Sequence, residues 1–202
     1  MIDHKLAESY LRRSEKQFAC TKAMLGTIVS LREKSLWDVE TLWNVSCHIN
    51  LLSHDLMAYM LFYGVVDDRW ARRAAVRSIA VLLYEGCDDL QTMFGKEFRD
   101  ACTQAGILSE VDADHRATTK QLSAFRIKYE SQVKAIRDPS GAHREHDVVK
   151  FLSEFMTVEY GIIIDASQEF ESLLGKLADF TKRIMKRMNE VYREKGISWQ
   201  LT

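Results

Sequence analysis

Proline is nearly missing from this chain: Pro139 is the only one among 202 residues, and there are only nine glycines. A β-sandwich or barrel of this length needs many tight turns, which glycine and proline supply. Their scarcity excludes an all-β fold and predicts an all-α one. A surplus of positive charge is missing too. The 28 Lys and Arg stand against 29 Asp and Glu, a formal net charge of −1. That balance argues against a dedicated non-specific nucleic-acid binder, which carries a basic excess, and leaves room only for a local basic patch. Cysteine pairs are absent as well. Cys20, Cys47, Cys87 and Cys102 lie far apart, with no C-x-x-C and no zinc-like spacing, so they read as free thiols in a reducing cytosol. The longest apolar run, Leu56 to Val66, stops at Asp67-Asp68 and is too short to cross a bilayer. The opening Met1-Ile2-Asp3-His4-Lys5 lacks the apolar core of a signal peptide. The expectation is a cytoplasmic protein with no membrane partner.

What is present is helical periodicity over nearly the whole length. A first helix is expected over 3–34, with Leu6, Tyr10, Phe18, Leu25, Ile28 and Val29 recurring at three- and four-residue steps as its core face. Ser35-Leu36 makes a joint with serine as the cap. The second helix, 37–63, is more apolar and so is expected nearer the centre, with Gly64 as its stop. Asp67 or Asp68 caps a third over 69–105, with Trp70, Ala74, Ile79, Leu83, Gly86, Leu90 and Phe94 inward. Gly95 is a place for it to split, and Gly86 a place for close helix contact, since glycine inside a helix otherwise costs about 1 kcal/mol. A fourth starts at Asp112 or Asp114 and arrives at Arg137, with Leu122, Phe125, Tyr129, Val133 and Ile136 inward. A fifth runs from Asp138 or Pro139 to about Met156. The stretch 157–165, with Gly161 and Ile162-Ile163-Ile164, reads as a buried loop or turn. A last helix covers 167–194, with Phe170, Leu173, Leu177, Phe180, Ile184, Met188 and Val191 on one face, and 196–202 is a loose tail. No repeat, low-complexity segment or linker divides the chain, so 1–202 forms a single domain: an antiparallel bundle of five to six helices. Helices longer than 25 residues make pairing between protomers plausible.

The single proline marks the most informative stretch, Arg137-Asp138-Pro139-Ser140-Gly141-Ala142-His143-Arg144-Glu145-His146. Proline removes a backbone donor and disfavours the α conformation of the residue before it. A helix is therefore expected to stop at Arg137, and another to start with Asp138 as its N-cap and Pro139 at its first position. Arg137 would stand at the mouth of that helix and His143 about a turn inside. The start of a helix offers unpaired N–H groups and a positive dipole end, which suit a phosphate.

Five residues separate Arg137 from His143, with the polar Asp138 directly after the arginine. This arrangement, late in an all-α chain, resembles the R-x(4–6)-H motif of the HEPN superfamily. The phrase Ile136-Arg137-Asp138-Pro139-Ser140-Gly141-Ala142-His143 is similar to wording common there, although many members have asparagine where this chain has Asp138, and proline after it is unusual. The third helix, with Arg72-Arg73-Ala74-Ala75-Val76-Arg77 leading into Leu82-Leu83-Tyr84-Glu85, is similar in texture to the helix that precedes the motif. The resemblance implies a HEPN-like fold and a metal-independent endoribonuclease of the toxin or phage-defence type. It would act on RNA as a homodimer that brings two motifs together, under an antitoxin or regulatory protein, with no cofactor. Arg137 then stabilises the phosphate, His143 is the acid/base, and Asp138 caps the helix or orients one of them. His146 and Arg144 are further candidates for RNA contact.

Other groups carry weaker signals. Arg69, Arg73 and Arg77 fall at i, i+4 and i+8, a stripe that could guide an RNA backbone or simply face solvent. His143 and His146 are three apart on one helix, but no third ligand completes a zinc set, so no metal is assigned. Glu85, Asp88 and Asp89 read as exposed or paired, and His48 and His54 as locally hydrogen-bonded. A non-catalytic helical module that binds a protein or nucleotide partner is the alternative reading of the same bundle.

Overall fold

The computed structural model describes residues 4–140 and 160–197 together with 149, 153 and 156, and of residues 4–7, 9, 10 and 138–140 the backbone alone. Among the described residues six helices and no strand are present: α1 His4–Glu33, α2 Trp37–Val65, α3 Arg69–Met93, α4 Lys96–Ala105, α5 Leu108–Ser140 and α6 Tyr160–Glu194. The chain is all-α. Neighbouring long helices run antiparallel, as their pairings show. On α1 and α2, Ser14 meets His54 and Thr21 meets Asn50. On α3 and α5, Gln91 meets Arg126 and Glu85 meets Arg137. On α5 and α6, Lys128 meets Glu169 and Glu110 meets Arg187.

The apolar α2 is central, packed against α1, α3, α4 and α6, and α3 shares that position, touching α2, α4, α5 and α6. Leu42, Val45, Leu52 and Leu56 of α2 are buried with Ile79, Leu83 and Leu90 of α3. Leu122, Phe125, Tyr129 and Val133 of α5 and the Phe170-to-Met188 face of α6 close the core. Gly86 sits against α2: a Cβ there would stand 2.9 Å from Leu52 Cδ2, which is the close contact its place in the helix implied.

Connections follow local chemistry. Asp68 caps α3 by accepting from the Ala71 amide at 2.7 Å. The split at Gly95 is real, and a Cβ there would meet the Thr92 carbonyl oxygen at 2.8 Å. Three helices end alike. Gly106 and Gly196 take the left-handed conformation after α4 and α6, with the paired backbone bonds of a Schellman turn. Ser35 does the same after α1 at φ +56°, with Leu36 N–H reaching Leu31 O at 3.0 Å. Ser35 therefore ends α1 and does not cap α2, where no side chain caps.

Four expectations are corrected. First, α5 does not stop at Arg137: it starts at Leu108 and continues through Asp138 and Pro139 to Ser140. A proline near a helix end deletes only one backbone bond; Ile136 packs on the core and Arg137 pairs with α3, which holds this turn in place. Asp138 is accordingly helical backbone and no N-cap. Most of the expected fifth helix lies outside the described residues, though Val149, Ser153 and Met156 are helical. Second, 160–165 is no loop. Tyr160, Gly161 and the three isoleucines form the first turns of α6, with Ile163 fully buried. The slight helix penalty of β-branched residues is outweighed by burying such a side chain, about 1.5–3 kcal/mol.

Third, Phe18, Leu25 and Val29 are exposed, and only Ile28 of the assessable α1 core residues is buried; the side chains of Leu6 and Tyr10 lie outside the described residues. The face of α1 against α2 carries Ser14, Gln17 and Thr21. Fourth, Trp70 is exposed at the start of α3. Of the expected tail, Gly196 and Ile197 are exposed and 198–202 lie outside the described residues.

Candidate functional site

Arg137 reaches the site from the last turn of α5 and is held there by α3. Its Nε and Nη2 donate to Glu85 Oε1 at 3.0 and 2.5 Å, and its guanidinium carbon lies 4.6 Å from the centroid of the Tyr84 ring. A fork bonded to a carboxylate and laid on an aromatic face is fixed in orientation as well as in place. The side chain keeps 27% of its surface open. Antiparallel packing of α3 and α5 brings together residues 52 positions apart in the chain.

Of the other motif residues, the Asp138 side chain and all of His143, Arg144 and His146 lie outside the described residues. Among the described residues no group of three His, Cys, Asp or Glu stands together as a metal site.

The arginines of the α3 stripe have different surroundings. Arg69 is exposed. Arg73 lies 5.2 Å over the Tyr160 ring, which also meets Tyr63 edge-on at 6.3 Å. Burial pushes the Tyr160 phenol above its ordinary pKa, against the opposing pull of Arg73. Arg77 lines an open groove of about 570 Å³ between α2 and α3, with Leu52, Asp55, Tyr59, Glu85 and Asp89. Glu85 therefore borders the groove and anchors Arg137 at the same time. Next to Arg69, Arg72 is committed to the turn before α3, donating to the Val66 carbonyl at 2.6 Å.

Two members of the acidic group of α3 are paired, Glu85 with Arg137 and Asp88 with Arg126 at 2.5 Å, and Asp89 lies 3.6 Å from His48 Nε2, beyond hydrogen-bond distance. His54 shares a hydrogen bond with Ser14 at 2.8 Å. The four cysteines are free thiols. Burial raises the pKa of Cys102 to about 12 and that of Cys87 to about 11, so neither is a nucleophile at neutral pH.

Two polar features escape sequence reasoning. Tyr192, near the end of α6, donates a hydrogen bond to the buried carboxylate of Asp38 at the start of α2. His115 is buried against Phe98, its Nε2–H donating to the Phe94 carbonyl at 2.7 Å. Both contacts join distant helices, and no local spacing signals them. No helix among the described residues is long and apolar enough to cross a membrane.

No family model, no curated protein and no solved structure matches this chain.

Proposed function

We propose that the corner formed by Arg137 and the residues after it is the active centre of a HEPN-like endoribonuclease, which cleaves RNA by attack of its own 2′-hydroxyl. One observation carries the reading: the motif's arginine is an oriented, partly open guanidinium, clamped by Glu85 and Tyr84 six positions before His143. RNA supplies its nucleophile, so the protein has to provide a base, a leaving-group acid and a charge stabiliser. An imidazole titrating near neutrality serves as acid or base. A guanidinium that stays charged suits the dianionic phosphorane. In this assignment Glu85 is a positioning residue for Arg137, and Asp138, which follows Arg137 in the chain, orients one of the two catalytic groups. No cofactor takes part, and a toxin or phage-defence role under an antitoxin or regulatory protein is the biological setting that fits.

The test is incubation of single-stranded RNA with the purified chain in EDTA, followed by analysis of the product ends. Cleavage to 2′,3′-cyclic phosphate ends, lost by about 10²-fold or more in His143→Ala and in Arg137→Ala, is the expected result. Equal cleavage by native and His143→Ala protein sinks the assignment.

A second reading, a non-catalytic helical binding module, is favoured by the acidity around the arginine. Glu85 already offsets its charge, and Asp55 and Asp89 line the adjoining groove, where they repel a phosphate backbone. It predicts no RNA cleavage by any form of the protein.

A further inference from the structure

Helix α1 buries Ile28 and Leu31 in its last turns, but its earlier turns meet α2 through polar groups, Ser14 with His54 and Asn50 with Thr21. Its outer face carries Leu11, Phe18, Leu25 and Val29, which are 59, 68, 58 and 47% exposed. The first three repeat every seven residues and Val29 follows four later, so all four fall on one stripe about 27 Å long at 1.5 Å per residue. A row of exposed apolar side chains in heptad register, with Glu15 and Lys22 set between them, has the pattern of a helix-pairing seam.

The charges on the stripe identify its occupant. Glu15 and Lys22, both exposed, stand one heptad apart along the same edge and carry opposite signs. Parallel pairing of two such helices would put their Glu15–Lys22 edges on opposite sides of the seam, where these charges do not meet. Antiparallel pairing about a two-fold axis at Phe18 sets Leu11 against Leu25, Phe18 against Phe18, and the Glu15 edge beside Lys22, twice over. An isologous contact requires this self-complementarity, and edge charges flanking an apolar seam decide orientation.

We infer that the outward stripe of α1 is a homodimer interface, on which the α1 of a second copy of this chain lies antiparallel with Phe18 at the two-fold axis. The HEPN resemblance implies a homodimer that joins two motifs; the α1 interface is argued from the exposure and charges of α1 alone and uses none of the motif's residues.

Sedimentation velocity on the full chain tests it. The native protein should sediment at twice its 23.4 kDa monomer mass at tens of micromolar. Phe18→Glu should be monomeric there, with an unchanged circular dichroism spectrum, because the residue supports no intramolecular core. Glu15→Lys and Lys22→Glu, taken singly, place like charges together twice, and each should weaken dimerisation at least about tenfold. Mixed together, the two variants should recover a dimer, since each Lys then meets a Glu. A native protein that stays monomeric up to about 100 µM, a Phe18→Glu protein that still dimerises, or a mixture that fails to recover overturns the proposal.

Discussion

Single residues show how much depends on partners far away in the chain. Arg137 and Asp138 stand out in the sequence because the lone proline follows them, yet nothing there pointed to Glu85 and Tyr84 as the residues that hold the arginine. Glu85 was visible as one of three acids on α3 and as part of a helix similar to the one before the motif, but not as the partner of Arg137, because a pairing across 52 residues leaves no spacing to read. Asp38 and Tyr192 make the same point more sharply, lying 154 positions apart and both buried. Replacing Tyr192 with Phe leaves a carboxylate in the core without this donor. We expect a loss of roughly 1–3 kcal/mol in urea unfolding. Combining it with Asp38→Leu should cost less than the two single losses added, because no buried charge is then left behind.

At the scale of elements, periodicity located α1 and α2 to within two residues and α3 and α4 as one helix with a split at Gly95, but set the start of α5 four to six residues late and that of α6 seven residues late. It misjudged the facing of most of α1, where Phe18, Leu25 and Val29 point outward and Ile28 alone of the described expected core residues is buried. The residues Leu11, Phe18 and Leu25 have the repeat of a core face, and a repeat does not say whether the core it meets belongs to this chain. It also misjudged both ends of the motif region. Proline halts a helix by local sterics, but α5 is carried past Pro139 by tertiary contacts at Ile136 and Arg137. The isoleucines at the start of α6 are drawn into helix by the burial of Ile163. The turn after α1 carries a different conflict. Ser35 occupies a left-handed position that glycine fills after α4 and α6, at a cost of about 1–2 kcal/mol for a residue with a Cβ. Ser35→Gly should therefore raise the thermal midpoint, with a gain of roughly 0.5–1 kcal/mol once the greater freedom of glycine in the unfolded chain is allowed for. A fall in the midpoint would show that the serine side chain contributes more than its backbone strain costs.

For the whole molecule, ion pairs between helices set the pH range of stability. Lys128 and Tyr129 donate to Glu169 at 2.6 and 2.8 Å and hold its carboxyl below the ordinary range. Arg187 does the same to Glu110. A carboxyl whose folded pKa is depressed stabilises the fold above its unfolded value, about 4.3, and that contribution goes as pH falls through the folded value. The Tyr192 phenol is shifted the other way, raised first by burial and then by the bond to Asp38. Its contribution is complete below about pH 10 and goes as pH climbs through the higher folded value. Thermal midpoints should thus form a plateau between about pH 5 and 9, with an acid limb and an alkaline limb. Glu169→Gln should flatten the acid limb by a few tenths of a kcal/mol, given how exposed that pair is, and Tyr192→Phe should flatten the part of the alkaline limb that the buried Cys87 and Cys102 thiols do not supply. A Tyr192→Phe protein with an unaltered alkaline limb would refute the assignment of that part to the phenol.

The sequence by itself determined the fold class, most helix spans and the central place of α2, because these follow from apolar spacing and from the lack of turn formers, both local properties. It also singled out Arg137. Tertiary structure alone decided that the arginine is clamped between Glu85 and Tyr84, that α5 runs on through the proline, and that Leu11, Phe18 and Leu25 of α1 face outward. Each of those outcomes is set by packing between helices far apart in the chain, where the energy of a contact outweighs the local preference of the residues that make it.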